Sequence, residues 1–392
     1  MLYRTLGRTN LNTSVFTLGG MRWIDGWNEP YHEISDETLK QACEVTKHCL
    51  DKGINHIETA RAYGKSEFIF GKVFNLLSIK KNNLIVTTKV RLKDSETVYS
   101  QILESLERLQ INYVNIVDIH GINNDLDYNK VFSKDGTLKG LQKARKEGLV
   151  KHIGFSTHGP LDLILKTIIT GEFDVVNLHY YFTFQTNYPA ISLANALKMG
   201  VFIISPNDKG GMLYKPSQKL LNLCNPLHPI VFNNRFLLED HGIHTISLGI
   251  TKTEMLNIHL ESIQNKNTNS SNSVRDEPFM GKLERDIKLK LEKELNNTPD
   301  YCTICGFCLP CPVKINIPEV LRLRNLFIAF DMKEFAVKRY NEMKPDDPWV
   351  TGESADKCVN CNECLPRCPQ RLTIPSLLKN THKLFKNAIT KY

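Results

Sequence analysis

The sequence predicts an α/β chain in which a closed barrel of eight parallel strands, each followed by a helix, precedes a smaller and mostly α-helical domain. Three observations predict it. From Leu2 to about Glu261, short apolar β-rich runs alternate with amphipathic stretches. At Gln264–Ser273 the pattern gives way to QNKNTNSSNS, a polar, low-complexity stretch that reads as a linker. Beyond Tyr301 lie eight of the eleven cysteines. The expected division is 1–262 for the barrel, 263–300 for a linker and connecting helix, and 301–392 for the cysteine-bearing domain.

The eight runs are Val15–Leu18, Ile54–Thr59, Leu84–Lys89, Val114–His120, His152–Ser156, Val175–His179, Val201–Pro206 and Thr245–Gly249. Between the third and fourth, Ser95-Glu-Thr-Val opens a capped segment whose Val98, Ile102, Leu106 and Leu109 share one helical face. Eight such units suit a (β/α)8 TIM barrel of about 250 residues better than an open doubly wound sheet. No G-x-G-x-x-G follows a strand, which weakens the dinucleotide-fold alternative. Past the linker, Met280–Leu295 and Pro318–Met343 have helical composition.

Composition narrows the setting. No run approaches the roughly 20 apolar residues of a membrane helix, and the N-terminus lacks a signal-peptide core, so a soluble, cytoplasmic protein is expected. Thiols stay reduced there, which favours metal ligation over disulfides. The net charge of +8 on 392 residues is a solubility feature and implies no nucleic acid. One local bias stands out: Arg371, Lys379, Lys383, Lys386 and Lys391 occupy a C-terminal tail with no acidic residue. Such a tail suits an acidic electron carrier, a ferredoxin or flavodoxin; the plainer reading is a solvated amphipathic helix with Leu377, Leu378, Leu384 and Phe385 packed inward.

The cysteines fall in two runs, Cys302-x2-Cys305-x2-Cys308-x2-Cys311-Pro312 and Cys358-x2-Cys361-x2-Cys364-x3-Cys368-Pro369. Three thiolates at three-residue spacing can wrap three corners of an iron–sulfur cube, while a fourth before proline reaches another cube. Zinc would use two C-x2-C pairs per ion and leave the third close cysteine without a role. The runs resemble two-cluster ferredoxins, and the helical segment between them resembles the α-helical kind. The resemblance implies two [4Fe–4S] clusters, one on Cys302, Cys305, Cys308 and Cys368, the other on Cys358, Cys361, Cys364 and Cys311. Cys43, Cys49 and Cys224 stand outside any motif and read as packing residues.

Within the barrel region, Ile57-Glu-Thr-Ala-Arg-Ala-Tyr-Gly-Lys-Ser-Glu67, Thr87-Thr-Lys89, Ser105-Leu-Glu-Arg-Leu109 with Tyr113–Gly121, and Gly154-Phe-Ser-Thr-His158 resemble the aldo-keto reductases. Leu6-Gly7-Arg8-Thr9 and Ser205-Pro-Asn-Asp-Lys-Gly-Gly211 extend the resemblance over about residues 1–260. With the cysteine runs it points to the subgroup bearing a C-terminal iron–sulfur extension. The resemblance implies Tyr63 as general acid, Lys89 as the cation that lowers its pKa, His120 as the group that orients a substrate carbonyl, and Glu58, where the family usually has aspartate, as partner of Lys89. It further implies NADP(H) or NAD(H), contacted by Ser156, Asn177 (where glutamine is usual), Ser205 and Lys252, the last near a 2′-phosphate. Thr157 replaces the usual asparagine, and Ile204 stands where some members stack a tyrosine. Arg22, Arg61 and His158 are candidates for binding an anionic substrate at the same mouth.

Taken singly, each of these polar residues has an ordinary structural role, as packing tyrosine, strand-end lysine, surface carboxylate or core histidine. Their placement argues otherwise, since Glu58, Lys89 and His120 close successive predicted strands and Tyr63 follows the first, which converges them on the C-terminal mouth where barrel enzymes react. The expected function is NAD(P)H-linked reduction of a carbonyl or related small molecule, coupled to or regulated by two [4Fe–4S] clusters. Hydride carries two electrons and each cluster one, so coupling normally needs a flavin or a radical-tolerant substrate, and no flavin motif is present. A second enzyme reading has a carrier feed electrons through the clusters to a barrel-bound substrate. The non-enzymatic alternative is an electron-transfer or redox-sensing protein with a non-catalytic barrel.

Overall fold

The computed structural model describes residues 1–80, 83–264, 278–345 and 351–389. Most of the polar stretch after Gln264, and the basic residue Lys391, lie outside the described residues. The chain separates into two compact units. The first comprises Met1–Tyr180, Asn187–Pro206 and Leu237–Pro278; the second comprises Tyr181–Thr186, Asn207–Phe236 and Phe279–Tyr392.

The first unit opens with an antiparallel pair, β1 (Tyr3–Thr5) and β2 (Asn12–Ser14), which the sequence pattern did not reveal. The barrel strands follow: β3 (Phe16–Gly19), β4 (His56–Glu58), β5 (Ile85–Val90), β6 (Val114–His120), β7 (Val150–Ser156), β8 (Val175–Leu178), β9 (Gly200–Ile203) and β10 (Thr245–Leu248). They pair in chain order, and β10 closes the barrel by pairing with β3 through Ile246 and Phe16. All eight runs expected from the sequence lie on these strands. Leu6, between β1 and β2, is fully buried against Ile85, Ile116, Val175 and Phe202 and plugs the barrel floor. Burying a leucine of this kind contributes about 2 kcal/mol.

Helices cover the barrel because each carries one apolar stripe. In α3 (Ser95–Leu109), Val98, Ile102, Leu106 and Leu109 are buried as the spacing predicts. The cap falls one residue earlier than expected, since Asp94 accepts from the backbone N–H of Thr97 at 2.9 Å while Ser95 is already helical. Parallel strands paired in chain order all end at one rim, so the residues at β4, β5, β6 and β7 C-termini share a mouth.

The second unit is mostly helical: α11 (Lys282–Asn296), α12 (Ile317–Phe330), α13 (Lys333–Glu342) and α14 (Ile374–Ile389), with the loops 207–213 and 301–316 and the segment 351–373. Phe385 of α14 is buried between Phe327 and Tyr340, with ring centroids 5.5 and 5.0 Å away. A buried charge network ties α12 and α13 to the 208–209 loop. Arg322 grips Glu319 through two bonds of 2.7 Å and donates to the Lys209 carbonyl at 2.9 Å, and Arg339 joins Asp208 to Glu342. Each buried guanidinium is thereby paired, as desolvation of a cation demands. Among the described residues no helix is long and apolar enough to cross a membrane.

Candidate active site and cluster-binding cysteines

Four residues far apart in sequence meet at the barrel mouth. Lys89, the fifth residue of β5, is 1% exposed and forms an ion pair with Glu58 Oε1. Its Nζ also donates to the Thr59 carbonyl at 3.1 Å and to Tyr63 Oη at 3.2 Å. The Tyr63 hydroxyl lies 3.3 Å from the same Glu58 oxygen. The second Glu58 oxygen accepts from Ser247 Oγ on β10 at 2.9 Å, so the carboxylate is held from both sides. His120 ends β6 and sets its ring edge-on to Tyr63, centroids 5.5 Å apart at 84°. Trp27 lies on another side of the Tyr63 ring, 6.4 Å between centroids. The Tyr63 loop turns at Gly64, whose φ of +53° and 2.1 Å separation between an added Cβ and the Gly26 carbonyl leave no room for a side chain.

Burial sets the protonation of this group. Burial, then the neighbouring Asp118 charge, raises the Tyr63 hydroxyl above its ordinary value, so it stays protonated at neutral pH. His120 is lowered to about 3 by burial, then by Lys89 and Arg91, and is therefore a neutral imidazole. Burial lowers Lys89 while Asp118 works the other way. The arrangement presents a protonated hydroxyl and a neutral ring to any group entering the mouth, with Lys89 Nζ behind the hydroxyl, where a protonated amine offsets the negative charge left when the hydroxyl gives up its proton.

The residues implied for a nicotinamide cofactor lie nearby on successive strands. Ser156 and Asn177 are register partners on β7 and β8, and Ser156 is likewise the partner of His120. Both are buried. Asn177 Nδ2 donates to Asp118 Oδ2 at 2.7 Å, whereas its Oδ1 has no hydrogen-bonding partner among the described residues. An orphaned buried acceptor fits a ligand that brings an N–H, as a carboxamide does. Ser205 follows β9 in the left-handed conformation, φ 53°. Lys252 is an exposed residue preceding α10 (Thr253–Leu260). Of the anion candidates, Arg61 is engaged by Glu104, His158 lies tilted at 34° against the His179 ring with a 2.6 Å ring-nitrogen contact, and the Arg22 chain runs past Gly249.

Sequence reasoning missed Asp118 and Ser247. Asp118 had a signal, because a carboxylate two residues before His120 shares its inward face and interrupts an apolar strand.

In the second unit thiols of the two cysteine runs lie near one another. Burial raises Cys302, whose electrostatic neighbours include Cys305 and Cys368. Burial pushes Cys308 up to about 12, with Cys302, Cys305 and Cys364 around it. Burial also raises Cys364, which faces Cys358, Cys361 and Cys311. Cys308, Cys311, Cys358, Cys361 and Cys364 line one cavity with Pro310, Pro312 and Val359. Left-handed residues at Ile304, Gly306, Asn360 and Asn362 bend the loops between cysteines. Backbone N–H groups of Ile304 and Leu372 donate to Cys302 Sγ and Cys368 Sγ at 3.3 and 3.4 Å, the bonding that stabilises ligating thiolates. Among the described residues no three His, Cys, Asp or Glu side chains converge as ligands of a single ion. The donor set fits iron–sulfur cubes. Cys49 and Cys224 are buried and raised to about 12, and Cys43 is half-buried.

A closed parallel barrel thus brings a protonated tyrosine, a buried lysine–carboxylate pair and a neutral histidine together at its C-terminal rim. The family model described as "Aldo/keto reductase family" matches residues 16–275, and that described as "4Fe-4S dicluster domain" matches 301–373. The chain belongs to the aldo/keto reductase family and carries a 4Fe-4S dicluster domain after the barrel. It is 31% identical over 221 residues to L-galactose dehydrogenase of Arabidopsis thaliana, covering 53% of this chain and 66% of that protein. It is 31% identical over 133 residues to methylglyoxal reductase DkgA of Escherichia coli K12, covering 33% of this chain and 46% of that one. Among solved structures, an aldo-keto reductase from Bacillus halodurans in holo form superposes with TM-score 0.57 at 16% identity, over 74% of this chain and 96% of that one. One from Klebsiella pneumoniae in complex with NADPH gives 0.53 at 15%, over 67% and 90%. These structures share the fold.

Proposed function

We propose that the protein reduces a carbonyl or related small molecule with NADPH or NADH, and that this chemistry is coupled to or regulated by two [4Fe–4S] clusters. The observation that carries the reading is the buried, protonated Tyr63 hydroxyl, 3.2 Å from Lys89 Nζ and beside the His120 ring. Bound reduced nicotinamide supplies the hydride. Tyr63 Oη gives its proton to the substrate oxygen while neutral His120 donates a hydrogen bond to that oxygen. Lys89, itself paired with Glu58, stabilises the phenolate left on Tyr63. Ser156 and Asn177 hold the carboxamide, Ser205 borders the cofactor, and Lys252 meets a 2′-phosphate.

In the C-terminal domain, Cys302, Cys305, Cys308 and Cys368 hold one cluster, and Cys358, Cys361, Cys364 and Cys311 the other. Bound there, each would supply one-electron chemistry. The partner is an acidic carrier such as a ferredoxin or flavodoxin. Support comes from α14, where Leu377, Leu378 and Phe385 are buried while Lys379, Lys383 and Lys386 are exposed, so the apolar face packs and the basic face remains available. The test is a panel of aldehydes, ketones and quinones with NADPH and with NADH, using anaerobically purified protein. Turnover of at least one class supports the reading. Binding of cofactor with no turnover across the panel would leave an electron carrier with an inactive barrel.

A further inference from the structure

One buried carboxyl in the barrel helps to raise the Tyr63 hydroxyl but neither gives nor takes the proton in the transfer just described. Asp118 is fully buried on β6, in register with Lys89 on β5 and with Gly154 on β7. A Cβ at residue 154 would come within 2.1 Å of Asp118 Oδ1, so the carboxylate fills the space that glycine leaves. Its Oδ2 accepts from Asn177 Nδ2 at 2.7 Å. Asp118 Oδ1 and Asn177 Oδ1 both lack a hydrogen-bonding partner among the described residues. An ionised carboxylate only accepts, so the Asn177 nitrogen must face it and the amide oxygen must face away. Burial raises the Asp118 carboxyl, while Lys89 and the Asn177 hydrogen bond work the other way, and Lys89 is already paired with Glu58.

We infer that Asp118 is a positioning residue for the nicotinamide: it locks the Asn177 amide in one orientation and makes the pocket prefer the oxidised, cationic ring over the neutral reduced ring. The inference rests on the proposed reading in which Asn177 holds the carboxamide. Oxidised and reduced rings are nearly alike in shape and differ by a unit of positive charge. A buried carboxylate one hydrogen bond from Asn177 therefore separates them by charge. At a protein dielectric near 20, unit charges several ångströms apart interact strongly enough for a preference of about tenfold. The same carboxylate favours hydride departure, because positive charge then develops near it.

The test is fluorescence titration of NADP⁺ and NADPH binding to wild type and Asp118→Asn at about pH 8.5, so that the carboxyl is ionised. The expected result is that Asp118→Asn weakens NADP⁺ relative to NADPH by about tenfold. Gly154→Ala, which displaces the carboxylate without removing its charge, is expected to shift the ratio in the same direction by less. An unchanged ratio in both variants, or equal weakening of both cofactors, would overturn the role of Asp118 while leaving the reductase reading intact. Failure of wild type to bind either cofactor would instead overturn the nicotinamide reading on which the role depends.

Discussion

The barrel mouth and the cysteine module reach a working arrangement by opposite routes. In the module the chemistry is written locally: cysteines at three-residue spacing lie on loops whose left-handed residues turn them inward, so a short stretch of sequence nearly specifies the site. At the mouth, Glu58, Tyr63, Lys89, His120 and Ser247 come from four strands and a loop, so their short motifs are scattered along the chain and meet only when the barrel closes. The module's burial raises thiols that a cluster must then hold deprotonated. The mouth's burial keeps Tyr63 protonated and His120 neutral, which is what proton donation needs. A local motif survives shifts in the rest of the fold, whereas a convergent site depends on barrel closure.

The sharpest way to break this contrast is at Tyr63. Tyr63→Phe deletes only the acidic hydroxyl and should lower carbonyl reduction roughly 10²- to 10⁴-fold. Steady-state rates together with NADPH titration check it, with cofactor affinity expected to stay close to wild type. A rate within a few fold of wild type would show that another group supplies the proton.

In the module, Cys368→Ala tests the crossed grouping. It should remove the cluster held by Cys302, Cys305 and Cys308, reducing iron from about eight to about four atoms per chain. Spectroscopy of variants lacking one motif's own cysteines identifies which cluster remains. Loss of the Cys358, Cys361, Cys364 cluster instead would mean each motif closes its own cube.

The barrel's dependence on closure appears in acid. His56, fully buried among Thr13, Thr17 and Thr87, is lowered to about 3 by burial and then by Lys89. Its folded value lies below the unfolded one, so below about pH 6.5 the unfolded chain binds a proton that the folded chain refuses. Stability is full above that pH and falls as pH drops toward about 3, by about 3 kcal/mol near pH 4 from this group. Urea melts of wild type and His56→Gln at neutral and acid pH check the sign. An equally steep acid limb in the variant would assign the loss elsewhere.

The smallest effect concerns α14. Replacing Lys379, Lys383 and Lys386 by glutamine should slow cluster reduction by an acidic carrier several-fold at low salt and hardly at all near roughly 0.5 M, where screening is short-ranged. Stopped-flow rates measure it. Equal low-salt rates would leave the helix a packing element.

Much of this was legible in the chain. Eight β-rich runs revealed the barrel because each carries buried apolar residues even where polar ones interrupt it, as Ile57 does in β4 and Ile246 in β10, and the cysteine spacing carried the module. The β1–β2 pair escaped because three-residue strands have no periodicity to detect. Asp118 and Ser247 escaped because their importance lies in cross-strand partners, Asn177 and Glu58, that register alone brings near. Glu58 shows the same limit. Its second carboxylate oxygen accepts from Ser247 on β10, across the intervening β3, a partner no local pattern displays.

The most direct test of the account is an anaerobic NADPH titration of protein carrying about eight irons and eight sulfides, with cluster absorbance followed throughout. Progressive bleaching of the clusters as NADPH is consumed in the presence of a quinone is the predicted result, since such a substrate can accept the hydride and release its electrons singly to the clusters. Cluster absorbance that stays constant while NADPH reduces the quinone would contradict communication between the barrel chemistry and the iron–sulfur domain.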